Sequence, residues 1–264
     1  MRSQTLMLVM LLLALAGCPA VDDDDSANDD DSAAMDDDDV TLLDPCDYGL
    51  DRVCADEVVD APGADFDAPF LNPARAVNGV RGLGDDAGGT DVFSLDWDSG
   101  SSLTLRWSDR RVLNGPGPDV VVFENPFRAG SGVFMDLVVV EVSIDGVEWM
   151  AFPHDYVADD ELEYSSDPQA WVGFAGRTPV RLHEEENPID PLSLEAGGDA
   201  FDLDAMPEDG GLGSALRSDG FTYLRLVTAP ARTNPDTGEP FVGDVISNGA
   251  DIDGVYARSL VEAD

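Results

Sequence analysis

The sequence predicts an all-β fold, a two-sheet antiparallel sandwich of the jelly-roll type, over residues 65–264. Short runs that alternate apolar and polar residues, or that are continuously apolar, dominate this region, as at 102–107, 119–124 and 137–143. Glycine, proline and aspartate separate the runs. No long helical period occurs, and one helical turn is expected at 214–217. Many short strands with turn residues between them are typical of packed antiparallel sheets.

The candidate strands follow one another closely along the chain. Asp145-Gly146 lies between two alternating runs, which is typical of a type I′ β-hairpin. About 200 residues are enough for one domain with a sizeable core. In chain order the candidate strands are 92–96, 102–107, 119–124, 137–143, 148–152, 221–227, 242–246 and 252–258.

Residues 1–17 are expected to be a signal peptide. Arg2 provides a short basic start, and an apolar run of roughly a dozen residues follows. The run is shorter than the about 20 residues that a membrane-spanning helix needs. It ends in Leu15-Ala16-Gly17-Cys18, which resembles the lipobox of bacterial lipoproteins. The resemblance implies that Cys18 is acylated, for example with palmitate, and anchors the mature chain; an ordinary secretory signal is the alternative.

Residues 18–44, which begin at the lipidated cysteine, are expected to form a disordered acidic tether. Blocks of aspartate at 22–25, 29–31 and 36–39 repel one another and cannot bury apolar surface. Such segments resemble the tethers of surface lipoproteins in some Gram-negative bacteria, and weak calcium collection is the alternative. Residue 19 is proline, so the aspartate retention signal of enteric inner-membrane lipoproteins is absent and an outer-membrane, cell-surface location is expected.

Residues 45–64 are expected to be a small lead-in closed by a disulfide. Cys46 and Cys54 remain once Cys18 is assigned to lipid, and they flank a Tyr-Gly turn signal. An exported chain in an oxidising compartment most simply pairs two such cysteines. Free thiols or metal binding are the alternatives.

The charge of the chain disfavours several partners. The net charge is −41, from 55 acidic and 14 basic residues, and every basic residue is arginine. Such a charge repels nucleic acids and anionic headgroups and attracts divalent cations. Nucleic acid is therefore excluded as an expected partner.

A set of motifs in fixed order carries a family resemblance. The segments are 88–105, 114–125, 140–147, 197–203 and 250–255, and they include Asp-Val-Val-Val-Phe-Glu-Asn and Val-Glu-Val-Ser-Ile-Asp-Gly. Together they resemble a group of poorly characterised bacterial cell-surface proteins, over most of residues 80–257. The resemblance implies a galactose-binding or discoidin-like β-sandwich, a superfamily whose members commonly bind sugars or surfaces, often with a structural calcium.

Aspartates near turns are the candidate metal ligands. Two segments share the pattern Asp-(Leu/Ile)-Asp, and carboxylates at positions i and i+2 of a strand face the same side. Calcium takes six to eight oxygen ligands in irregular geometry. Glu124 and Asn125 could add oxygens, and the alternative is that the aspartates bond backbone amides at turns. The predicted calcium ligands are Asp119, Asp202, Asp204, Asp251 and Asp253.

The sequence lacks the motifs of several enzyme classes. His183-Glu-Glu-Glu-Asn187 has no second histidine for a zinc protease, and no Gly-x-Ser-x-Gly elbow or phosphate loop occurs. A glycosidase that uses paired carboxylates remains as the enzyme alternative.

One tryptophan is a candidate ligand-binding residue. Trp171 lies among loop residues in Pro-Gln-Ala-Trp-Val-Gly-Phe and could present its ring to a sugar. Core packing is the alternative, and it is the favoured one.

The sequence thus predicts a non-enzymatic, lipid-anchored surface protein that binds a glycan, a matrix polymer or a surface protein, stabilised by calcium. The alternatives are an envelope polysaccharide hydrolase and a purely structural envelope component.

Overall fold

The computed structural model describes residues 53–96, 102–247 and 249–263. This part of the chain folds mainly into short strands, with one α-helix and short 3-10 turns. The strands are β1 (Val53–Cys54), β2 (Glu57–Asp60), β3 (Phe93–Ser94), β4 (Ser102–Arg106), β5 (Arg110–Val112), β6 (Val120–Phe123), β7 (Phe127–Ala129), β8 (Gly132–Phe134), β9 (Val138–Ser143), β10 (Met150–Ala151), β11 (Asp155–Tyr156), β12 (Trp171–Val172), β13 (Asp199–Phe201), β14 (Tyr223–Thr228), β15 (Asp251–Ile252), β16 (Gly254–Ala257) and β17 (Leu260–Glu262). Helix α1 is Leu212–Asp219, and the 3-10 turns are Pro73–Val77, Pro168–Ala170, Leu203–Ala205 and Ala229–Ala231.

Two larger sheets organise the domain. One has four strands in the order β1-β16-β6-β13, and the other has five in the order β10-β9-β14-β4-β2. Every ladder in them is antiparallel. The smaller pairs are β11-β12, β15-β3, β17-β5 and β7-β8.

The main core lies between these two sheets. Val120 and Val122 of β6 share it with Val140 of β9 and Leu226 of β14. Successive side chains of a strand point to opposite faces, so Val121 of β6 belongs instead to a second cluster on the outer side of its sheet. The prediction of an all-β, two-sheet antiparallel sandwich is confirmed.

The strand predictions hold where apolar residues are buried on both faces, as in β6 and β9. The prediction of a strand at 242–246 is wrong. Asp244 Oδ1 accepts the amide of Ile246 in a turn, and the Val245 and Ile246 side chains are exposed. Helix α1 has eight residues, which is longer than the single turn that the sequence predicts.

The hairpin predicted at Asp145-Gly146 forms with a different turn. Strands β9 and β10 pair, but residues 144–149 separate them. A type I′ turn needs positive φ at both central residues, and here only Gly146 has it, at 75°. Asp145 Oδ1 instead accepts the amides of Val147 and Glu148.

The predicted lead-in contributes strands to the sandwich. Strand β1 pairs with β16 of the four-stranded sheet, and β2 pairs with β4 of the five-stranded sheet. Val53 and Val58 pack against the main core, so the folded domain begins before residue 65. This corrects the predicted boundary between lead-in and sandwich.

Several N-terminal predictions lie outside the described residues. These are the signal peptide at 1–17, lipidation of Cys18, the tether at 18–44 and Cys46. Cys54 is buried and disulfide-bonded, and its pairing with Cys46 stays a prediction. Among the described helices, none has the length and apolar character required to cross a membrane.

Candidate functional site

Three of the predicted calcium ligands lie in turns around a 3-10 segment. Asp119 is fully buried, and its two carboxylate oxygens accept the amides of Gly115 and Leu203 at 2.7 and 2.8 Å. Burial raises the pKa of Asp119 to about 6. Asp202 caps the turn at Leu203–Ala205 through the amide of Asp204, whose own carboxylate pairs with Arg217 at 3.1 Å.

The other two predicted ligands have different partners. Asp253 is fully buried, and both its oxygens accept the amide of Arg81, at 3.0 and 3.1 Å. Asp251 lies in β15 and accepts the hydroxyl of Ser94. The alternative of backbone-amide bonding at turns therefore describes Asp119, Asp202 and Asp253.

The five aspartates do not assemble into one metal centre. Asp202 lies before a 3-10 turn instead of in a strand, so the expected same-side display of Asp202 and Asp204 fails. Among the described residues, no group of three or more histidine, cysteine, aspartate or glutamate side chains is arranged to hold a metal ion. Calcium binding stays a prediction.

Trp171 is a core residue, and its predicted role as a ligand platform is corrected. Its side chain is fully buried and stacks on Tyr156, with ring centroids 3.8 Å apart. The indole Nε1 donates to the carbonyl of Ser165 at 2.9 Å. The rings of Tyr164 and Phe174 also pack against it, with centroids 5.9 and 5.3 Å away, so no aromatic face is left for a sugar.

The acidic pocket is the feature that best fits a binding site. This cavity has a volume of about 410 Å³ and lies where β6 ends and β9 begins. Binding sites for small molecules commonly measure about 300–1,000 Å³. Its polar lining comprises Asp86, Glu124, Asn125, Asp136 and Asp251, and its apolar lining includes Phe127 and Phe134.

Glu124 lines the acidic pocket, and one of its carboxylate oxygens has no hydrogen-bond partner. The residue is 3 % exposed. Its Oε1 accepts the amide of Asp251 at 3.0 Å, whereas Oε2 has no hydrogen-bond partner. Buried polar groups are nearly always hydrogen-bonded, so an unpartnered carboxylate oxygen requires an explanation. A ligand in the pocket would supply the missing donor.

Burial and mutual repulsion raise the pKa values of the pocket carboxyls. Burial holds the pKa of Glu124 well above its usual range, and the charge of Asp136 adds to the effect. Burial likewise raises the pKa of Asp136 to about 7, although the Ser247 hydroxyl, which donates at 2.6 Å, opposes the shift. Burial also raises the pKa of Asp251. Carboxyl groups with strongly shifted pKa values in a cleft are typical of functional sites.

Glycines shape the walls of the acidic pocket. Asn125 makes two hydrogen bonds to Gly89. Its Oδ1 accepts the Gly89 amide at 2.6 Å, and its Nδ2 donates to the Gly89 carbonyl at 2.7 Å. A β-carbon on Gly88 would lie 3.1 Å from Asn125 Nδ2, so glycine at this position lets the loop approach Asn125 closely. Gly176 has φ +91°, and a β-carbon there would lie 3.3 Å from Glu124 Oε2.

Two phenylalanines form the apolar side of the acidic pocket. Phe127 and Phe134 are opposite one another in the β7-β8 ladder, and their rings stack with centroids 5.1 Å apart. Both side chains are partly exposed. The pocket thus combines hydrogen-bond acceptors with an aromatic surface, which suits a ligand with hydroxyl groups and apolar C–H faces.

Sequence patterns identified part of this pocket. Glu124 and Asn125 were expected to supply oxygens, and Asp251 was predicted as a metal ligand, although in a different group. Asp136 and the Phe127–Phe134 pair were missed. The only available signal was the pair of aromatic residues at the two ends of a short hairpin around Gly130.

Comparison with known proteins adds little to this geometry. No protein-family model and no curated protein matches the chain. One solved structure is similar, described as CBM32-3 from a family 31 glycoside hydrolase from Clostridium perfringens. It is 13% identical, with a TM-score of 0.32, and the match covers 78% of this chain and 95% of that chain. Likeness at this level supports no inference about ligand or activity. The fold and site define an antiparallel β-sandwich with an acidic pocket.

Proposed function

We propose that this protein is a lipid-anchored cell-surface protein whose β-sandwich binds a glycan in the acidic pocket. The observation that carries the proposal is the pocket itself: carboxylate and amide oxygens of Glu124, Asp136 and Asn125 beside the Phe127–Phe134 pair. Sugar hydroxyls donate hydrogen bonds, and those to carboxylates are about twice as strong as those between neutral groups. The aromatic pair would cover an apolar sugar face.

The anchoring part of the proposal rests on the sequence around Cys18. An apolar run too short to span a bilayer precedes this cysteine, and an acidic segment follows it. Several acyl chains, at about 0.8 kcal/mol per buried methylene, hold a protein stably on a membrane. The acidic segment would then give the folded domain reach.

The binding proposal is tested on a glycan array with the full-length protein in detergent. The wild type is expected to retain glycans without releasing reducing sugar, and Asp136→Asn is expected to lose at least about tenfold in affinity, or about 1.4 kcal/mol. Asp159→Asn is the control, because Asp159 is exposed and does not line the acidic pocket. Absence of any bound glycan, or equal binding by Asp136→Asn, would overturn the proposal.

The pKa values favour a second candidate, a hydrolase of envelope polysaccharide. A glycosidase needs one protonated carboxyl as general acid and one carboxylate as base or nucleophile. Burial holds the pKa of Glu124 well above its usual range, which suits a general acid, and Asp136 and Asp251 line the same pocket as candidate partners. Release of reducing sugar by the wild type, lost in Glu124→Gln, would establish this function in place of binding.

The anchor is tested by metabolic labelling with radioactive palmitate. The wild type is expected to incorporate label and to fractionate with membranes, and Cys18→Ser is expected to lose both properties. An unlabelled wild-type protein recovered in the medium would exclude lipid anchoring, but it would not affect the proposal that the acidic pocket binds a glycan.

A further inference from the structure

The charge balance of the acidic pocket specifies its ligand more closely. Four of its lining residues are acidic, namely Asp86, Glu124, Asp136 and Asp251, and no basic residue lines it within the described part of the chain. Asp244 adds a further negative charge close to Asp136. Buried charges are normally paired, so this arrangement lacks its positive partner.

Buried carboxylates elsewhere in the domain have partners on both oxygens, which are backbone amides for Asp119 and Asp253 and arginines for two others. Glu141 is bound by Arg225 and Arg232, at 2.5 and 2.7 Å. Asp199, which is 3 % exposed, is bound by Arg177 at 3.2 Å. The described part of the chain shows no ion pair to the pocket carboxylates. At Glu124, by contrast, Oε2 has neither a cationic partner nor a hydrogen-bond donor.

A calcium ion is a poorer match than an organic cation. Calcium requires six to eight oxygens at about 2.3–2.6 Å, and the described carboxylates are not arranged to hold a metal ion. Three of the pocket carboxylates already use one oxygen: Glu124 accepts the Asp251 amide, Asp136 accepts the Ser247 hydroxyl, and Asp251 accepts the Ser94 hydroxyl. The remaining oxygens can accept from separate N–H groups, and an ammonium has three donors.

We propose that the glycan carries an unacetylated amino sugar, whose ammonium group binds between Glu124, Asp136 and Asp251. This inference rests on the proposed function and names the sugar class. Each of these three carboxylates lines the pocket and has one oxygen without a partner named above. Phe127 and Phe134 then contact the sugar ring, and aromatic faces also attract cations.

The test uses three β-1,4-linked trisaccharides that differ at carbon 2: glucosamine, N-acetylglucosamine and glucose. Isothermal titration calorimetry with the full-length protein is expected to show glucosamine trimer binding at least about tenfold more tightly than either neutral trimer. Because a chain of net charge −41 attracts any cationic oligomer, the preference must depend on the pocket. Asp136→Asn and Glu124→Gln are expected to abolish it, whereas Asp159→Asn retains it.

The outcomes separate this inference from the proposed function. If neutral trimers bind as tightly as glucosamine trimer, and Asp136→Asn weakens them all, glycan binding holds and the amino-sugar inference fails. If the preference survives in both pocket variants, the attraction is nonspecific and the inference also fails. Millimolar calcium that binds the wild type but neither pocket variant would identify a metal ion as the occupant and overturn it. If the wild type retains no glycan, the proposed function itself fails.

Discussion

Replacing Asp253 by asparagine should remove about 2.5 kcal/mol of the change in stability between pH 5 and pH 8. Asp253 is fully buried, and both its oxygens accept the amide of Arg81. Burial raises its pKa from 3.8 to about 7, and the negative charge of Asp91 adds to the effect. Asparagine has the same size, retains an oxygen that can accept the Arg81 amide, and carries no charge at any pH.

The magnitude follows from the two pKa values. The folded protein holds the Asp253 proton more tightly than the unfolded chain, so this proton stabilises the fold fully below pH 3.8. The stabilisation is lost as the pH rises through about 7. Between pH 5 and pH 8, a shift from 3.8 to about 7 corresponds to a loss of about 2.5 kcal/mol. Burial raises the pKa values of Asp119, Asp136 and Glu124 as well, so the wild type should be clearly less stable at pH 8.

The assay is guanidinium denaturation of the wild type, Asp253→Asn and the exposed control Asp159→Asn at pH 5, 6.5 and 8. The free energy of unfolding should fall less steeply with pH in Asp253→Asn, by about 2.5 kcal/mol over this range. Comparing slopes cancels any fixed cost of the amide side chain. A wild-type stability that rises with pH, or an Asp253→Asn slope equal to that of the wild type, would refute the reasoning.

Two further predictions concern packing. Trp171→Ala should lower the free energy of unfolding by about 3–5 kcal/mol in denaturant titrations, because the ring is fully buried. Glycan binding by the folded fraction should be unchanged. A selective loss of binding would identify Trp171 as a ligand residue after all. Gly176→Ala should cost at least about 1–3 kcal/mol, because φ is +91° and the β-carbon would lie 2.3 Å from the carbonyl oxygen of Asp136. The same variant should also bind glycans more weakly in the array. A Gly176→Ala protein as stable as the wild type and with equal glycan binding would contradict both expectations.

The core strands were predictable because their signal is local. Val120–Phe123 and Val138–Ser143 are buried on both faces, and such strands appear as nearly continuous apolar runs. The error at 242–246 has the opposite cause. Its valine and isoleucine are exposed in a turn, and a short apolar run does not by itself reveal burial.

The acidic pocket was only partly predictable because its parts are distant in the sequence. The bond between Glu124 and the amide of Asp251 joins positions 127 residues apart. Sequence spacing grouped Asp251 with Asp253, yet the Asp251 carboxylate accepts the Ser94 hydroxyl whereas the Asp253 carboxylate accepts the Arg81 amide. Neighbouring carboxylates in a chain need not share a site when the backbone between them changes direction.

The distribution of the arginines among the buried carboxylates indicates that the charge of the acidic pocket serves binding. Only 14 basic residues balance 55 acidic ones, and two arginines converge on the single buried carboxylate of Glu141. One arginine beside Glu124 would likewise satisfy its free oxygen. A buried carboxylate without a partner lowers stability, so the fold bears a cost at this position that it avoids at Glu141 and Asp199. A cationic ligand in the pocket would offset that cost, so the folded protein would be more stable with the ligand bound.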